Sequence, residues 1–162
     1  VRPRLLLSAV LAASLLASCR DDKPSACAKP EAHLIDPSSS QHLLPGAPEP
    51  KYNTNPPTSG AHAPGTYPTG VLPSPLANAA QVAMLEAGDV LIQYRDVSAA
   101  DLRELKALGL DGAKGGVAVA PNDSLPTPIV ATAWVYSMEC QRFDKEALQD
   151  FVGMHTGKHQ SD

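Results

Sequence analysis

The chain has 162 residues, of which 43% are hydrophobic and 19% charged, and its formal net charge is −4. That length bounds it to one domain plus a leader, and the composition is that of a folded chain rather than a disordered one. The acidic balance and the lack of any Lys/Arg cluster exclude a nucleic-acid partner, because phosphate binding needs a cationic face.

The first segment, "VRPRLLLSAVLAASLLASC", has Arg2 and Arg4, an apolar run from Leu5 to Leu16, and small residues just before Cys19. This is the layout of a secretory signal over residues 1–18, with an apolar core too short for a membrane span. A cysteine directly after the small residues resembles a bacterial lipobox. Cys19 is then expected to be cleaved free, acylated and inserted into a lipid bilayer at the cell envelope. Export leaves Cys27 and Cys140 in an oxidising compartment, where two thiols tend to pair, so a Cys27–Cys140 disulfide is one expectation and two free thiols the other.

Residues 19–50 contain six prolines and the run Ser38-Ser39-Ser40, a composition that reads as a lipidated, disordered tether. His33 and His42 fall in it and read as solvated linker residues rather than metal ligands. A single domain is expected over 51–162. It opens with an irregular stretch, "KYNTNPPTSGAHAPG", in which Pro56 and Pro57 fix the backbone and Gly60 and Gly65 permit tight reversals.

Asn78 reads as the cap of a short Ala-rich helix that stops at Gly88. Asp89–Arg95, apolar on both faces, predicts a central strand. Ser98, with Asp101 three residues on, caps a helix whose Leu102, Leu105 and Leu108 recur at helical spacing, with Gly109 as its end. Gly115–Pro121 predicts a second strand and Ile129–Cys140 a long third one, the last two forming a hairpin. A final helix starts at Asp144, with Phe143 and Leu148 at staple positions. The fold class is therefore α+β: a small, largely antiparallel sheet with two or three helices packed on one face, preceded by the tether.

No nucleophile elbow, Walker loop, dinucleotide fingerprint or H-E-x-x-H motif is present, which argues against an enzyme. An envelope redox enzyme using Cys140 is one alternative. A second is copper binding. His62, Met84, Met138 and Cys140 are soft or borderline donors, and sulfur with imidazole suits copper(I). Met138 and Cys140 stand two apart on a strand and so share a face.

Five stretches, "YNTNPPTSGAH", "LEAGDVLIQYR", "ATAW", "CQRFDKEAL" and "FVGMHTGKH", together resemble the bacterial family known as domain of unknown function 3105, over Tyr52–His159. The resemblance implies an exported, membrane-anchored protein without an established activity. It also implies counterparts for His62, Glu86, Gly88, Cys140 and His155 in the family's pattern. The pattern has histidines where this chain has Ala83 and Ala87, and a proline where it has Ala61. If the family's histidines gather a metal, this chain lacks two of the imidazoles. The sequence thus reads as a lipid-anchored, non-enzymatic binding module with an incomplete metal site at His62 and a partner protein in the envelope.

Overall fold

The computed structural model describes residues 24–112 and 115–157. The leader expected over 1–18, Cys19 with its expected acylation, and the terminal His159 lie outside the described residues. The elements run β1 (Glu31–Ala32), β2 (Gly70–Val71), α1 (Asn78–Glu86), β3 (Val90–Tyr94), α2 (Ala99–Gly112), β4 (Val117–Pro121), β5 (Ile129–Ala133), β6 (Tyr136–Cys140) and α3 (Lys145–His155). They build one six-stranded sheet in the order β1-β6-β5-β3-β4-β2.

The class is α+β, as the sequence predicts. The pairs β1–β6, β5–β6 and β3–β5 are antiparallel, while β3–β4 and β2–β4 are parallel. The β3-α2-β4 unit accounts for the parallel β3–β4 pair, since strands joined by a crossover helix run the same way. β3 is central because Val90, Leu91, Ile92 and Gln93 are all buried, on both faces.

Side-chain alternation along the strands makes two cores. Val90, Ile92, Val117 and Val119 face Leu105 of α2 and Leu148 and Phe151 of α3. Leu91, Ala118 and Ala120 face the other way, onto Val82, Met84 and Leu85 of α1. Two helices thus share one face, and α1 covers the opposite one. Fully buried Gln93 donates a hydrogen bond to Gln81 Oε1 of α1 (3.1 Å) and accepts one from Asn122 (2.7 Å). This polar chain fixes where α1 sits on the sheet.

Three local expectations need correction. The long strand over 129–140 is two strands, and the hairpin lies inside it rather than between the second and third predicted strands. The chain reverses at Trp134–Val135, with Val135 at φ 56°. A β-branched residue gives no turn signal and is strained there. Backbone bonds from Val135 N–H to Thr58 O (3.0 Å) and from His33 N–H to Val135 O (2.8 Å) hold it. Second, α2 continues through Gly109, because that glycine allows close helix–sheet approach: a Cβ would sit 2.8 Å from Val119 Cγ2. Third, Asn78 is inside α1 rather than its cap. The cap residue Ala77 has no side-chain acceptor, and Glu49 Oε1 accepts from Ala79 N–H instead (3.1 Å).

The disordered tether is also corrected over residues 24–50. This arm is laid against the domain. Cys27 and Cys140 are joined in a disulfide and are direct antiparallel partners. β1 then covers the outer edge of β6. The composition misled because Ser, Asp and Pro look like linker residues, whereas here the hydroxyls and carboxylates bond to the domain.

Asp144 joins the arm to α3. Its Oδ1 accepts from Ala147 N–H, capping the helix, and its Oδ2 accepts from Ser25 Oγ–H and Ala26 N–H. Desolvation pushes its pKa up, but the two backbone bonds, Ser25 and Arg142 outweigh that and leave it below the ordinary 3.8. A lowered carboxyl contributes stability that is full above its unfolded value and is lost as pH falls through the folded one. Asp144→Ala is therefore expected to cost about 2 kcal/mol at pH 7, from lost cap and arm bonds. In chemical denaturation the difference from wild type should fade as the pH falls below 3.8. A pH-independent difference would contradict this role.

Candidate functional site

The stretch Pro56–His62 is buried residue for residue. A buried loop must find partners for its backbone groups, and these come largely from the arm. Gly60 N–H donates to Ser39 Oγ (3.0 Å) and Ala61 N–H to Ser38 Oγ (3.0 Å). His62 N–H donates to Gln41 O (3.1 Å), and His62 O accepts from Leu43 N–H (2.8 Å). Asp36 N–H donates to Ser59 Oγ (2.9 Å). Tyr52 O–H donates to Ala61 O (2.9 Å). Burial, followed by the carboxylates of Glu49 and Asp36, raises the Tyr52 pKa to about 12, so it stays a donor.

This clamp sets one imidazole. His62 is 1% exposed. Its Nδ1 lies 3.0 Å from Gly60 O, a contact that only an Nδ1–H can make. With Nδ1–H donating, the lone pair of a neutral ring lies at Nε2. That nitrogen is buried and makes no hydrogen bond. Glu86 Oε2 stands 2.7 Å from Nε2, an ion-pair distance when the ring is protonated. The arm brings the second imidazole: His42 pairs with His62 through the backbone, and their rings meet edge to face at 4.8 Å. One donor atom each from His42, His62 and Glu86 lies within 4.8 Å of the others.

α1 supplies the third donor and the wall. Ala83, Glu86 and Ala87 share a helix face and line a pocket of about 200 Å³ with His42, His62, Ala63, Pro64 and Gly65. Gly88, at φ 89°, ends the helix: Gly88 N–H bonds Leu85 O and Asp89 N–H bonds Met84 O. Glu86 thus sits in the last turn, where the helix carries partial negative charge, an unfavourable place for a carboxylate and a favourable one for a cation beside it. The two positions at which the resemblance implied histidines, Ala83 and Ala87, both face this pocket.

The four-donor copper set is corrected. Met84 lies in the α1 core, while Met138 and Cys140 lie in the core on the other side of the sheet, so the sheet separates them. Of that set only His62 reaches the pocket. Cys140 is fully buried and disulfide-bonded, so it holds no resting thiolate nucleophile. His155 packs on Tyr136 and Phe151 instead. Sequence reasoning left both His42 and Glu86 out of the donor set; Glu86 was marked only as a counterpart in the family's pattern, and His42 not at all. The only hint was an imidazole amid serines and prolines, where spacing says nothing about contact.

The fold and site define a small α+β domain with a His/Glu cluster at a helix C-terminus. Residues 47–162, well over half the chain, match the family described as "Protein of unknown function (DUF3105)", and the chain belongs to that family. No curated protein and no solved structure matches it. The arm residues up to Gly46, His42 among them, precede the matched region.

The clamp depends on Gly60. It adopts φ 128°, and a Cβ there would lie 2.9 Å from Tyr52 Cδ1. Gly60→Ala is expected to lower stability by about 2 kcal/mol in thermal unfolding, from backbone strain and displacement of the Tyr52 ring. An unchanged melting temperature would show that the loop is not held as described.

Proposed function

We propose that this protein is an exported, lipid-anchored envelope module that binds a divalent transition-metal ion through His42, His62 and Glu86. The observation that carries the reading is His62 Nε2: a buried nitrogen without a hydrogen bond, facing a carboxylate and a second imidazole. A cation held between Nε2 and the Glu86 carboxylate would engage both groups at once. The donor set is two imidazoles and a carboxylate, which suits zinc or copper(II) better than copper(I). A metal bond of about 2 Å places two donors at most about 4 Å apart, so the set must tighten slightly. The exposed side chains of His42 and Glu86 have the freedom to do so, while His62 stays fixed.

The reading is of a binding module rather than an enzyme. The leader and Cys19 support export and acylation, and the Cys27–Cys140 disulfide fits an oxidising compartment outside the cytoplasm. Among the described residues no helix is long and apolar enough to cross a membrane; in this reading the acyl chains of Cys19 provide the anchor.

Titration of Zn²⁺ into the full chain should give one-to-one binding. His62→Ala should weaken it by more than about 100-fold, beyond the roughly 10–100-fold typical of losing an outer partner, and His33→Ala should leave it unchanged. Equal affinities for wild type and His62→Ala would refute the site. For the anchoring, mass spectrometry of non-reduced protein from its host should show an acylated Cys19 amino terminus. An unprocessed leader would refute that part alone.

A further inference from the structure

We propose that the ion held by His42, His62 and Glu86 keeps a coordination position open to the pocket and takes a small anionic ligand there. The inference rests on the metal reading above and adds what the site does with its ion. Zinc and its neighbours are at least four-coordinate, whereas among the described residues three side chains converge here. The rest of the pocket wall is Ala63, Pro64, Gly65, Ala83 and Ala87, and none of these side chains can donate to a metal. With Glu86 bound through one oxygen, this set leaves a fourth position for a ligand from outside it.

The pocket has room for it. Its volume of about 200 Å³ compares with a share of about 30 Å³ for one water in the liquid. His62 forms the floor, while His42, Pro64, Gly65, Glu86 and Ala87 are exposed around the rim, so an incoming ligand meets the ion from solvent. Charge sets its class. A divalent ion with one carboxylate and two neutral imidazoles leaves one positive charge, which an anion neutralises. The apolar wall restricts the ligand to small ones and contributes no competing hydrogen bonds.

Cobalt(II) reports this directly, because its visible bands change with coordination number and ligand. The full chain loaded with Co²⁺ should show bands that shift saturably when azide is added. Ala87→His changes an exposed residue of the wall and offers an imidazole for the open position. It should keep its cobalt bands and need at least ten-fold more azide for the same shift. Cobalt bands that ignore azide, or an Ala87→His chain that responds as wild type does, would overturn the proposal while the metal reading stands. Absence of any cobalt band at saturating ion would defeat the metal reading itself and this proposal with it.

Discussion

The backbone of a buried loop needs hydrogen-bond partners, and in this protein an arm from outside the family's matched region provides them. Pro56–His62 runs through the interior without the ladder of a strand or helix. Water cannot serve its amides there, so Ser38, Ser39, Gln41 and Leu43 do. The arm, in turn, has little apolar burial of its own. It is held by these same bonds, by β1 on the edge of β6, by the disulfide and by Asp144. Loop and arm are each ordered by the other.

That mutual dependence assembles the site. The loop alone gives a fixed imidazole with its proton committed to Gly60 O. The arm alone would carry His42 in solvent. Paired, they put two imidazoles in edge contact, over the one face of α1 that bears Glu86. The helix is itself tied into the arrangement at both ends. Glu49 caps its start, and Gly88 turns the chain sharply into the central strand. Fixing one donor in the core while leaving two at the surface is a design that suits an ion exchanged with the surroundings more than one sealed away.

Much of the scaffold was legible from local pattern. β3 was evident from its double-sided apolar run, the start of α2 from Ser98, whose Oγ accepts from Asp101 N–H (3.1 Å), and α3 from Asp144 and its staple. These are short-range signals, decided within a few residues. The failures share the opposite character. Val135 turns because Thr58 and His33 hold it, Gly109 is helical because Val119 lies beneath it, and Glu49 caps a helix some thirty residues away. In each case a distant partner overrides the local preference. The site divides the same way. His62 and Glu86 were marked by motif, whereas His42 gains its meaning only from being folded onto the loop. Met84, Met138 and Cys140 carried metal-binding chemistry by residue type, yet the sheet keeps Met84 apart from the other two.

The central claim is that arm and loop present His42 and His62 to one ion. The most direct test is to follow the histidine ring resonances of the ¹⁵N-labelled full chain by NMR while Zn²⁺ is added. The account expects His42 and His62 to change together at one equivalent, with His33 and His155 unmoved. Rings of His42 and His62 that stay constant through the titration, or a response confined to other histidines, would contradict it.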